Sequence, residues 1–165
     1  MNDLLNQPGP IKAISLWQPW ASLIAAGLKR HETRHWLTQY RGAIAIHASK
    51  TLDRAGAPDA LCDAVFGLDW RDTLPRGAVI ATAELTQVHH AATIVARLTR
   101  ADLASGNFAA GRFAWRLDSV RALDEPIPLI GRQGLFNWTP PEDLAQRLGP
   151  EVDHAAACHG YRWAA

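Results

Sequence analysis

The chain is short of cysteine, of long apolar runs and of charge of either sign, and each shortage excludes something. Only two cysteines occur in 165 residues. Cys62 and Cys158 stand far apart and in no C-x-x-C pairing, which excludes a disulfide framework and a thiolate metal site. They are expected to be reduced thiols. No window holds the roughly 18 uninterrupted apolar residues that a membrane helix needs. The first ten residues lack a basic leader and an apolar signal-like core. A soluble, cytoplasmic protein with no membrane contact is therefore expected. Seventeen basic residues against 16 acidic ones leave a net charge of +1. Bulk charge thus makes no case for a polyanionic partner, and only local clustering can.

What is present suits one ordinary globular domain. The apolar fraction is 48% and the charged fraction 20%, and the length suffices to bury a core without staples. Seven tryptophans are a mild excess. Residues 1–10 read as a flexible leader ending in Pro8-Gly9-Pro10. Strands are predicted over 11–16, 41–48, 78–88, 112–123 and 134–138. On the second of these, Ile44 and Ile46 share one face and Ala43, Ala45 and His47 the other. Helices are predicted from Pro19 to a stop at Gly27, over 58–66, and over 99–104 with Thr99 as cap. A terminal helix is predicted from Pro140 to near Gly149, with an irregular tail after it. Separated strands with short helices between them point to an α+β chain built as a small, partly open β-barrel with helices outside. No regular βαβ alternation favours a nucleotide-binding parallel sheet.

The densest stretch is Gly27-Leu28-Lys29-Arg30-His31-Glu32-Thr33-Arg34-His35-Trp36. From His31 it spells H-E-x-x-H, which binds zinc when two histidines project from one helix face and the glutamate serves as base. That reading, a zinc hydrolase using His31, Glu32 and His35, needs a continuous helix and a third ligand downstream. Here the string follows the predicted helix stop at Gly27 and leads toward a strand. His47, His89 and His90 have no diagnostic spacing as third ligands. From Gly27 the same residues spell G-x-K-x-x-E-x-R, and Glu32 has other work.

Trp17-Gln18-Pro19-Trp20-Ala21-Ser22-Leu23-Ile24, then Gly27-x-Lys29-x-x-Glu32-x-Arg34-x-Trp36 and Arg41-Gly42, resemble the ASCH domain family. Weaker blocks follow in the family's order at 74–80, 113–117 and 128–138, so the resemblance spans about residues 11–138. It implies a PUA-like fold, a small β-barrel with a helix packed across a cleft. The organisation expected is a leader at 1–10, the ASCH domain over 11–140, and a C-terminal helix and tail over 141–165 packed on or beside it.

The residues suit a pocket for a planar polar ligand. Trp17 and Trp20 offer aromatic faces, and stacking on such faces is worth about 1–3 kcal/mol per base. Lys29 and Arg34 suit phosphate or polar base edges, Arg34 bidentately. Glu32 can accept from an exocyclic amine or hold Lys29 and Arg34. Between positions 29 and 50, five basic residues (Lys29, Arg30, Arg34, Arg41, Lys50) face one acid, Glu32, the local patch a nucleic-acid cleft needs. Gln18, Pro19, Trp36, Arg41, His47 and Gln133 complete the candidate binding set. Trp17 and Trp20 are equally readable as core aromatics, Glu32–Arg34 as a surface ion pair, and His47 as a strand residue facing a groove.

The resemblance implies two activities. Some bacterial members are amidohydrolases of acetylcytidine, and one is a metal-dependent single-strand ribonuclease; eukaryotic members bind RNA or DNA. The amidohydrolases carry a threonine where this chain has Glu32, the threonine serving as a nucleophile activated by a nearby lysine with a carboxylate assisting. Thr33 is one residue off that position, and Asp102 is the nearest counterpart of the assisting acid. The expectation is therefore a domain that binds RNA, another single-stranded nucleic acid or a modified nucleoside. The alternative is a hydrolase using Lys29 and Glu32. No metal and no cofactor are expected, and the oligomeric state is open.

Overall fold

The computed structural model describes residues 9–159. Most of the expected leader, and the end of the expected tail, lie outside the described residues. The chain runs β1 (Ile11–Gln18), α1 (Trp20–Ala25), β2 (His31–Arg34), β3 (Gly42–Leu52), α2 (Asp59–Phe66), α3 (Trp70–Thr73), β4 (Ala78–His90), α4 (Ala91–Ile94), α5 (Arg100–Ala104), β5 (Phe113–Pro128), β6 (Leu135–Trp138), α6 (Leu144–Arg147), β7 (Leu148–Glu151) and α7 (His154–His159). The class is α+β. The strands form one sheet in the order β2-β5-β4-β3-β1-β6, with β7 added on β5. Its two ends, β2 and β6, do not pair, so the sheet is not closed into a barrel.

Strand alternation divides the core. Ile14, Leu16, Ile44 and Ile46 line one face with Leu85, Trp115 and Leu117, and α1 packs Ala21 and Ile24 onto them. Ala13, Ala45 and Val79 point the other way, toward Phe136, Trp138, Leu144 and Leu148. The far side of α1 buries Leu23 against Leu61, Cys62, Trp70 and Ala101. The short helix α1 is thus held on both flanks, which a six-residue helix needs to persist. No helix among the described residues is long and apolar enough to cross a membrane.

Several features go beyond or against the sequence reading. His31–Arg34 is a strand, paired antiparallel with Phe113–Arg116 of β5. β1 and β3 pair in parallel, with Ser15 opposite His47. The predicted terminal helix is a single turn, and Leu148 then enters β7, where Leu123 is its partner. Burial of Leu144 and Leu148 decides this. The described part of the tail is not irregular: Val152 N–H bonds Val120 O, and α7 follows. Gly27 sits at positive φ, and a Cβ there would collide with Val152 Cγ1. Glycine therefore serves both to end α1 and to admit this segment.

Candidate functional site

A cleft of about 500 Å³ opens between the end of β1, the start of α1, β2 and the loop after α5. Trp17, Trp20, Lys29, Glu32 and Arg34 all line it. Local structure explains why they meet. Leu28 and Lys29 N–H groups both bond Leu23 O at 3.0 Å, folding the chain back under α1. Strand alternation along β2 then sends Glu32 and Arg34 into the cleft and His31 to the opposite side.

Lys29 is 2% exposed, and its ammonium is fully engaged. Nζ donates to His31 O at 2.7 Å and to Ser105 O at 2.6 Å. It stands 3.3 Å from Glu32 Oε2 and 5.8 Å from the centre of the Trp20 ring. Burial lowers its pKa, and the neighbouring Glu32 carboxylate pulls the other way. Glu32, itself buried, holds Arg34 Nε at 2.9 Å from its other oxygen. That approach is an ion pair without hydrogen-bond alignment, since Arg34 Nε has no hydrogen-bond partner. Arg34 Nη2 donates to Ser15 O at 3.1 Å. The result is a carboxylate fixed at the floor of the cleft between two cations.

The wall opposite β2 comes from residues the sequence reading did not single out for the site. Thr99 caps α5 by accepting from Asp102 N, as its sequence signal suggests. Asp102 accepts from Arg30 N at 3.0 Å, so α5 is tied to the segment before β2 by this bond and by Lys29 to Ser105. Ser105, Gly106, Asn107 and Arg112 then line the cleft. Asn107 N bonds Thr33 Oγ1 and Arg112 Nη2 bonds Thr33 O, so the Thr33 hydroxyl is an anchor for this wall. On the near side Asp53 accepts from Trp20 Nε1 at 3.1 Å.

The other candidates lie elsewhere. Gln18 is buried and bridges Ser22 and Pro75 O. Pro19 is buried at the head of α1. Trp36 stacks edge-on against Trp115 at 4.6 Å. Arg41 donates to Thr38 O and Tyr40 O. His47 and Gln133 line a separate groove, together with Lys50. Arg30 turns away to Asp118. The five basic residues between positions 29 and 50 thus form no single patch, because extended chain spreads them over different faces. The cleft's cations are Lys29, Arg34 and Arg112.

The H-E-x-x-H string has no helix beneath it. Four residues of extended chain span about 13 Å, so such histidines cannot share an ion. His31 is buried and faces Asp102 Oδ1 at 3.4 Å, while His35 is exposed. Among the described residues no three His, Cys, Asp or Glu groups cluster to hold a metal. Asp102 faces this far side, not the cleft floor. Burial alone would raise its pKa, but hydrogen bonds from His31, Arg30 N and Thr99 outweigh that and lower it.

Behind β2, Asp118 accepts from Arg30 and Arg116 and, at 2.6 Å, from Thr86 Oγ1. Its burial is outweighed by these bonds, and its pKa falls to about 2. A carboxylate with a depressed folded pKa stabilises above its unfolded value of about 3.9 and loses that contribution as pH falls through the folded pKa. Asp118→Asn should therefore destabilise at neutral pH, with the deficit shrinking between pH 4 and about 2. Denaturant unfolding of both proteins across that range checks this; a constant deficit contradicts it.

A family model described as the ASCH domain matches residues 14–126. Similar solved structures include the ASCH protein from Zymomonas mobilis, 18% identical with a TM-score of 0.49, covering 82% of this chain and 91% of that one. A tyrosine-to-phenylalanine mutant of that protein is 19% identical with a TM-score of 0.49, covering 84% and 98%. No curated protein matches. With the family model spanning most of the sequence, the chain belongs to the ASCH domain family.

Proposed function

We propose that the cleft binds a nucleobase of single-stranded RNA or of a modified nucleoside. The observation that carries this is the Glu32 carboxylate, held between Lys29 and Arg34 at the floor of a cleft with Trp17 at its rim. A buried, oriented carboxylate accepts hydrogen bonds only, so it selects a partner with N–H donors, such as an exocyclic amine. Trp17 is 54% exposed and offers its face for stacking. Arg34 retains donors for a base edge or phosphate beyond its bond to Ser15. The family's PUA-like fold is associated with RNA binding or hydrolase activity, and a cleft of about 500 Å³ falls within the usual range for small-ligand pockets.

Titration with a short fluorescent RNA, single-stranded and then as a duplex, tests the reading. The single strand should bind more tightly, because only its bases can leave the stack. Arg34→Ala should weaken binding and reduce the salt slope by about 1. Unchanged affinity and slope would sink the proposal.

One observation favours a second reading as a hydrolase: Lys29 is a buried amine whose pKa is lowered beside a carboxylate. Two backbone carbonyls and Glu32 already occupy its donors, however. Its role as a base would require surrendering the proton that faces Glu32.

A further inference from the structure

Ser15 and His47 form a second chemically suggestive arrangement, apart from Lys29 and Glu32. They are register partners on β1 and β3. Ser15 Oγ lies 2.9 Å from His47 Nδ1, and His47 Nε2 lies 2.8 Å from Leu129 O. A carbonyl only accepts, so Nε2 carries the ring proton and Nδ1 presents its lone pair. The Ser15 hydroxyl must then be the donor. His47 is 1% exposed; burial lowers its pKa, with the bond to Leu129 opposing, which favours the neutral ring.

The surroundings fit the same chemistry. A Cβ on Gly131 would stand 2.5 Å from both Ser15 Oγ and His47 Cε1, so glycine keeps the space beside the pair free of a side chain. A groove of about 430 Å³ opens here, with Leu129 and Ile130 on its apolar side. Ile130 is 86% exposed, an apolar side chain left without cover. The charged residues lining the groove, Lys50 and Arg132, are both cationic, the sign a developing oxyanion requires. Nucleophile, base and the group orienting the base are all in place.

We infer that Ser15 is the nucleophile and His47 the general base of an acyl-transfer site in this groove, taking short aliphatic esters. Ser15 Oγ forms a bond to the ester carbonyl carbon while its proton passes to His47 Nδ1. The ester C–O bond then breaks, and the departing alkoxide takes that proton, leaving an acyl-serine and an alcohol. Water attacks the acyl-serine, giving one proton to His47 Nδ1, and collapse returns that proton to Ser15 Oγ with release of the carboxylic acid. Throughout, the Nε2–H stays on Leu129 O.

A fluorophosphonate probe, which forms an Oγ–P bond and releases fluoride, tests the site in the full chain. One adduct on Ser15 is expected by mass spectrometry, with none in Ser15→Ala. The labelling rate should follow a single ionisation below neutral pH. His47→Gln should slow it by about 100-fold or more, the scale of a general base. No adduct on the folded protein, an adduct elsewhere, or an unchanged rate in a folded His47→Gln overturns the inference. Should His47→Gln fail to fold, Ser15→Cys decides. Alkylation by iodoacetamide should proceed well below the pH range of a free thiol, and an ordinary thiol profile overturns the site.

Discussion

Replacing Glu32 by glutamine is expected to destabilise the fold by about 3–5 kcal/mol, the cost of stranding a buried charge by removing its partner. Glutamine has the same shape, so packing survives and the loss is electrostatic. Lys29 keeps its bonds to His31 O and Ser105 O. It loses the carboxylate at 3.3 Å, and Arg34 remains nearby as a like charge. The sign with pH follows from Lys29. Burial already lowers its folded pKa below the unfolded value, and Glu32 is the main force opposing that. Without Glu32 the folded pKa falls further. A lysine whose folded pKa is depressed penalises the fold while charged, and the penalty lifts as pH rises from the folded pKa toward the unfolded value of about 10.4. The deficit of Glu32→Gln should therefore shrink on the alkaline side. Denaturant unfolding of both proteins from neutral to alkaline pH measures it. A deficit under about 1 kcal/mol, as for a surface ion pair, would show that Glu32 is not the partner this geometry makes it.

Lys29, Glu32 and Arg34 are legible as a group because the G-x-K-x-x-E-x-R string resembles the ASCH family's motif. The helix stop at Gly27 carries a local signal, whereas the short strand that sets Glu32 and Arg34 on one face follows from its pairing with β5. What the cleft does with them was not legible, because it depends on α5. Ser105, which fixes Lys29, lies 76 residues away, and no local pattern ties it to the motif. A lysine expected to reach for phosphate is instead sealed in as the support of Glu32. The same holds for the basic residues: their count is a property of the sequence, but their faces are set by β2, β3 and the ties to Asp118 and Thr38. His47 was readable as a strand residue with its side chain opposite Ile44 and Ile46. Its bond to Ser15 was not, since it follows from the parallel pairing of β1 with β3, a tertiary choice. The separated strands and the family resemblance both point to the sheet, whereas the terminal strand β7 has no sequence signal, because Pro140 to Gly149 carries helix-start signals that burial of Leu148 overrides.

Trp17→Ala is expected to weaken RNA binding by about 5–150-fold, the equivalent of about 1–3 kcal/mol of lost stacking. The fold should hardly notice, since surface substitutions away from special features fall within about 0.5 kcal/mol, and Trp17 is 54% exposed at the end of β1. Trp20 provides the contrast. Its ring nitrogen bonds Asp53, Lys29 lies over its ring, and it packs on the helical cluster. Truncating Trp20 should therefore cost stability as well as affinity, and only Trp17 separates the two. Salt dependence supplies the second axis. Removing an uncharged stacking surface leaves the number of neutralised phosphates unchanged, so the slope of affinity against salt should match the parent protein. Arg34→Ala should change that slope, and Trp17→Phe should recover most of the affinity. Anisotropy titrations of the single-stranded RNA at two or more salt concentrations, with melting curves alongside, measure all of these. If Trp17→Ala binds as the parent does, the exposed indole is not a base platform. The affinity would then have to reside in the cleft itself, in Glu32, Trp20, Arg34 and Arg112.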